Sequence, residues 1–185
     1  MSHVTVLIGD DTTLITVVST SDGSDELRLP CGMASLHERH FTADPPFPEE
    51  LTNAIGEMID HLDDARRQLD QLDNASAVSV QGRVATAIAA VEYGGTPGAL
   101  TFELSRDAAE DVFRTLATEA TAERRHNPGL PADLAPTIVA GCCAMVALFR
   151  ALQLDRVTVV LDSPTPTAAT TTAAAAASEG HRHGS

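Results

Sequence analysis

Val4-Thr5-Val6-Leu7-Ile8-Gly9-Asp10-Asp11-Thr12-Thr13-Leu14 is the stretch on which the reading of this chain turns. An apolar strand runs into a tight polar turn and out into a second strand, the layout of a hairpin that grips phosphate. Glycines at such a turn let backbone N–H groups close around an anion, whereas Asp10 and Asp11 put carboxylates where the anion would sit. A phosphate against a carboxylate at about 4 Å is unfavourable by roughly 1 to 4 kcal/mol per unit charge pair. The scaffold is that of an anion site, and its chemistry is altered.

Outward from this hairpin, strand-like runs cover His3 to Ile8, Thr12 to Thr20 and Glu26 to Cys31. Ser21-Asp22-Gly23-Ser24 supplies the turn between the last two, so the chain opens as a three-stranded meander. Pro45, Pro46 and Pro48 mark a linker. Beyond it, Leu51, Ile55, Met58, Leu62, Ala65, Leu69 and Leu72 recur at steps of four and three and predict a helix from Glu49 to Asp73-Asn74. Glu49 and Glu50 suit its positive N-terminal end. Ala77 to Val80 reads as a short strand, and Gln81-Gly82 leads into a helix from Val84 to Val91. Gly94, Gly95, Pro97 and Gly98 break the chain, Leu100 to Glu103 is a minor strand, and Ser105 caps a helix over Arg106 to Leu116. A short helical segment at Thr121 to His126, a long helix from Ala132 to Leu152 and a last strand from Arg156 to Leu161 complete the order. From Ser163 the composition turns to Pro, Thr, Ala and Ser, which predicts a disordered tail over residues 163–185 and one folded domain over residues 1–162.

The chain has 185 residues and a formal net charge of -14, with every basic side chain outside histidine an arginine. That balance argues against nucleic acid and anionic membranes as partners. No apolar run approaches the roughly 18 residues of a membrane span, and the first residues lack a basic and then apolar leader, so a cytoplasmic protein is expected. Cys31, Cys142 and Cys143 read as buried, inert thiols. Absence of lysine excludes Schiff-base catalysis, and neither a nucleophile elbow nor a GxxxxGK[ST] loop is present. Asp10 and Asp11 offer hard oxygen ligands for Mg²⁺. His37 and His40 lie three apart, with no third ligand at useful spacing for zinc.

Three antiparallel strands followed by alternating helices and strands resemble the ribonuclease H-like unit of the actin-like ATPase superfamily. Further likeness lies in Arg28-Leu29-Pro30-Cys31-Gly32-Met33, Leu36-His37-Glu38-Arg39-His40-Phe41 and Asp44-Pro45-Pro46. Ala122-Glu123-Arg124-Arg125 with Pro128-Gly129-Leu130, Ile138-Val139-Ala140-Gly141 and Arg156-Val157-Thr158-Val159 extend it. Together these resemble the second half-domain of the Ppx/GppA family, the exopolyphosphatases and guanosine pentaphosphate phosphatases. The resemblance implies an α/β half-domain with a five-stranded mixed sheet in βββαβαβ order. It also implies an active site shared with a first half, here missing, that carries the catalytic glutamate.

The family's hairpin pattern, Asp-Ile-Gly-Gly-Gly-Ser-Thr-Glu, falls on Leu7, Ile8, Gly9, Asp10, Asp11, Thr12, Thr13 and Leu14, so both of its acids are aliphatic here. Its second loop falls on Gln81-Gly82-Arg83-Val84-Ala85-Thr86, and the turn after the last strand on Leu161-Asp162-Ser163-Pro164. The phosphate-binding candidates are therefore Gly9, Asp10, Asp11, Thr12, Thr13, Gly82, Arg83 and Thr86, with Arg83 either an anion clamp or a partner of Glu92 or Asp10. Ala140, Gly141 and Ala144 form a small-residue patch. By the resemblance it would face the counterpart helix of the other half, and by its composition it suits packing on the first long helix equally well. The expected function is a degenerate, stand-alone binding or assembly module. It would self-associate as a homodimer or homo-oligomer, or pair with a separate lobe, with a nucleotide or polyphosphate as ligand. The alternative is a phosphatase of this type completed by a partner chain.

Overall fold

A computed structural model describes residues 2–19 and 23–161. The turn residues Ser21 and Asp22, the segment after Leu161 and the tail expected to be disordered lie outside the described residues. Among the described residues, no helix is long and apolar enough to cross a membrane.

The meander is β1 (Ser2–Ile8), β2 (Thr13–Ser19) and β3 (Gly23–Leu29). It continues through α1 (Met33–His40), α2 (Pro48–Gln68), β4 (Ala75–Gln81), α3 (Arg83–Tyr93), β5 (Thr101–Ser105), α4 (Arg106–Thr118), α5 (Thr121–Arg124), α6 (Ile138–Ala151) and β6 (Arg156–Val160). The sheet order is β3-β2-β1-β4-β6-β5. β1 pairs antiparallel with β2 and parallel with β4, β4 runs parallel to β6, and β5 closes the edge antiparallel to β6. The sheet thus has six strands where five were expected, because the minor strand pairs along β6 from Thr101 to Ser105.

Alternation decides which face meets the helices. Val4, Val6 and Ile8 of β1 are buried with Ile15 and Val17 of β2, while His3, Thr5 and Leu7 point the other way. On that second face the register pairs Leu7 with Leu14, Thr5 with Thr16 and His3 with Val18. These side chains are half-buried or exposed, Leu7 at 39 % and Val18 at 48 %. The helical layer lies on the opposite face.

Several boundaries differ from the sequence reading for local reasons. α1 was not anticipated, because so short a helix buries only Met33 and Leu36 and shows no repeating stripe. α2 stops at Gln68, four residues before the end of its apolar stripe; Leu72 stays buried from a turn in which its N–H donates to the Leu69 carbonyl at 2.9 Å. Pro136 interrupts what reads as one long helix from Ala132, so α6 begins only at Ile138. Ser105 caps α4 as expected, accepting from the Ala108 N–H at 3.2 Å.

Of α6, every residue except Arg150 is buried. It packs against α2, α4, α1 and α3. Ala140, Gly141 and Ala144 therefore face the chain's own interior rather than an outer interface, which corrects their reading as a docking patch. A Cβ at Gly141 would lie 2.7 Å from Val84 Cγ1 and 3.4 Å from Met33 Sδ, so the patch admits the first turns of α3 and α1 together. Gly141→Val should lower stability in urea denaturation by about 1–3 kcal/mol. Adding Val84→Ala should restore part of that loss, with a coupling above about 0.5 kcal/mol; strict additivity would show that this contact does not limit the packing.

Candidate functional site

The C-terminal edge of β1 and β4 brings the two candidate loops side by side. Ile8 pairs with Thr13, leaving Gly9 to Thr12 as the turn, and the Gly9 N–H donates to the Thr12 carbonyl at 3.0 Å. Thr13 is fully buried, and its hydroxyl donates to the Cys31 carbonyl at 2.7 Å, tying the start of β2 to the chain leaving β3. At the second loop, Gly82 precedes α3 at φ 98°, a left-handed conformation that favours glycine. A Cβ there would also stand 2.8 Å from Leu7 Cδ1 and 3.2 Å from the Ile8 carbonyl oxygen.

The carbonyls of the first loop occupy the helix N-terminus that an anion would otherwise use. The loop folds onto the N-terminus of α1: Met33 N–H donates to the Gly9 carbonyl at 2.9 Å, and Ala34 and Ser35 N–H to the Asp10 carbonyl at 2.8 and 3.2 Å. The Gly32 N–H is taken by Ser35 Oγ at 2.8 Å. The first-turn donors of α1, which would otherwise suit a phosphate, are thus satisfied from within. Gly32 makes this approach feasible, since a Cβ would come within 2.6 Å of both the Gly9 and Asp10 carbonyl oxygens. The Asp10 and Asp11 side chains are exposed at the tip, and Arg28 reaches Thr12 Oγ1 at 3.4 Å.

Arg83 pairs with Asp133, neither with Glu92 nor with Asp10. With Thr86 it lines a pocket of about 260 Å³ whose other walls include Ala87, Pro97, Leu100 and Leu134. None of Gly9 to Thr13 lines that pocket. The eight phosphate-binding candidates therefore share a sheet edge, but the acidic turn and the Arg83 pocket are separate surfaces.

At the turn Asp10 and Asp11 offer Mg²⁺ two exposed carboxylates, and water would have to supply its other ligands. Among the described residues, the one grouping of three His, Cys, Asp or Glu side chains close enough to share an ion is Cys31, Glu57 and His61; no third acid joins Asp10 and Asp11. Sequence reading missed this cluster, although Glu57 and His61 stand four apart on the helix predicted there. Around it, Arg39 meets Glu57 Oε1 at 2.5 Å and His40 Nε2 lies 2.5 Å from Oε2. Burial works against ionising Glu57, but hydrogen bonds from Arg39 and His40 hold its carboxyl below the usual range. Burial, then the Glu57 charge, pushes the Cys31 thiol up to about 11.

A second polar centre was also missed. Arg124 is 2 % exposed, donating to Asp44 Oδ1 at 2.6 Å, to the Ala135 carbonyl at 2.6 Å and to the Glu119 carbonyl at 3.0 Å. It binds the loop before α2 to the segment before α6. Beside it, burial and then the Arg124 charge push the His37 imidazole below its ordinary range.

No family model matches the chain, and no curated protein matches its sequence. Solved structures do match. An exopolyphosphatase-like protein superposes with a TM-score of 0.80 at 17 % identity, covering 86 % of this chain and 55 % of its own. The Aquifex aeolicus PPX-GPPA enzyme gives 0.77 at 20 % identity, with 87 % and 54 % covered. An exopolyphosphatase from Cytophaga hutchinsonii gives 0.72 at 13 % identity, with 86 % and 53 % covered. The chain thus has the fold of Ppx/GppA proteins and spans about half the length of the structures it matches.

The lock between turn and helix predicts opposite behaviour for two kinds of substitution. Gly32→Ala should cost about 1–3 kcal/mol in chemical denaturation, because the new Cβ meets backbone oxygens. Asp10→Ala with Asp11→Ala should stay within about 0.5 kcal/mol, as exposed side chains away from packing do.

Proposed function

We propose that this chain is a single lobe, over residues 1–162, that serves as a binding or assembly module and not as a self-sufficient phosphatase. The observation that carries this reading is the closed acidic turn: its own carbonyls satisfy the α1 N–H groups, and its side chains present two carboxylates. A phosphate arriving there meets two carboxylates, and the N–H groups of the first turn of α1 are already taken. The match covers only 55 % and 53 % of the two exopolyphosphatase-type chains, and the pairing partner we propose is a second copy of the chain, seated on the open sheet face of Leu7, Leu14 and Val18. The net charge of -14 argues against nucleic acid or anionic membrane in that role.

Light scattering at high micromolar concentration should give twice the chain mass, and Leu7→Glu with Val18→Glu should return it to one. A strictly monomeric wild type would reject self-association. Melting temperature should stay flat with guanosine nucleotides, ATP and polyphosphate; a ligand of the folded state at a hundred times its Kd would add about 2.7 kcal/mol.

A second reading, favoured by the adjacency of Gly82 to the end of β1, is a polyphosphate or guanosine pentaphosphate hydrolase completed by a partner chain. It requires phosphate release from polyphosphate once that partner is supplied.

A further inference from the structure

Away from the sheet edge, the chain leaving β3 and the middle of α2 meet on the flank of the helical layer. Cys31 is buried there, and its Sγ, a Glu57 carboxylate oxygen and a His61 ring nitrogen all lie within 4.8 Å of one another. Glu57 and His61 come from one helix face at i and i+4, with 24 % and 28 % of their side chains exposed. This is a donor set of one thiol sulfur, one imidazole nitrogen and one carboxylate oxygen, drawn from two elements already fixed by the core. Sulfur with imidazole suits a borderline ion such as zinc and not Mg²⁺ or Ca²⁺, which want oxygen alone. Three protein ligands leave the fourth tetrahedral position for water.

We propose that Cys31, Glu57 and His61 form a zinc-class divalent metal site, with His40 orienting the Glu57 carboxylate from outside it. His40 already holds Glu57 Oε2 at 2.5 Å, the contact that aims a ligating carboxylate. Arg39 is the competitor. Its guanidinium now meets Glu57 Oε1, and with 42 % of its side chain exposed it can swing to solvent when the ion enters. On binding, the Cys31 S–H bond breaks, its proton passes to water and the sulfur–metal bond forms. No oxidation is involved. The site ties α2 to the exit of β3, two elements that otherwise approach each other through side-chain packing alone.

The test uses the full chain with His181→Ala and His183→Ala, so that the tail histidines cannot bind metal. Co²⁺, as the spectroscopic stand-in for Zn²⁺, should bind at one equivalent with a thiolate-to-cobalt charge-transfer band, displaced by one equivalent of Zn²⁺. Cys31→Ser should abolish the band. His61→Ala, on a partly exposed helix face and so independent of whether the cysteine variant folds, should weaken binding at least tenfold. Arg39→Gln should tighten it severalfold. No thiolate band, a band that survives Cys31→Ser, unchanged affinity in His61→Ala, or weaker binding in Arg39→Gln would each overturn the proposal.

Discussion

A helix buried around its whole circumference is the constraint from which the arrangement follows. α6 exposes only Arg150, so α1, α2, α3 and α4 must encircle it. Close approach on one side needs a residue without a side chain, and Gly141 is placed there, against Val84 and Met33. Val84 is the second residue of α3 and Met33 the first of α1, each following a loop glycine, Gly82 and Gly32. One contact in the core thereby sets where both helix N-termini point, and with them the two loops at the sheet edge. The small-residue patch positions the candidate site from behind; it is not a surface beside it.

What the sequence could convey divides along the range of the forces involved. Alternation in Val4 to Ile8 and the helical stripe from Leu51 to Ala65 are local patterns, and β1, β2, β4, β6 and the body of α2 were legible from them. The position of the turn at Gly9 to Thr12 and the cap at Ser105 were legible for the same reason. α1 was not, because eight residues with two buried apolar positions carry no period to detect. Nor could composition say what covers Ala140, Gly141 and Ala144, since small residues permit close packing without specifying the partner. The partner of Arg83 stands 50 residues away at Asp133, and Cys31 meets Glu57 and His61 only through the packing of α1 and α2 around α6. Such pairings belong to the tertiary structure.

The sheet itself is half clothed. One face holds the valines and isoleucines against the helices, while the other presents Leu7 beside Leu14, Thr5 beside Thr16 and His3 beside Val18. Threonine and serine make up much of that second face, and Ser79 accepts or donates with both His3 and Thr5 at 3.1 and 3.2 Å. A mixed polar and apolar face of this kind tolerates water and also tolerates a partner, unlike a face of branched aliphatics alone.

Charge at the turn invites the idea that the aspartates are what stands between this chain and phosphate, and the magnitudes argue otherwise. Repulsion from one exposed carboxylate costs roughly 1 kcal/mol when water surrounds it, and salt reduces that further. Three hydrogen bonds hold the turn onto α1, each contributing about 0.5 to 1.5 kcal/mol. An anion must break these before it reaches the N–H groups of α1, while the favourable pull of a helix N-terminus is only about 0.3 to 1 kcal/mol at an exposed site. Replacing Asp10 and Asp11 by glycine would remove the smaller obstacle and leave the larger. The closure of the turn resides in its backbone, held by Gly32 and by the core contact behind it, and the carboxylates are the part of that closure a sequence can display.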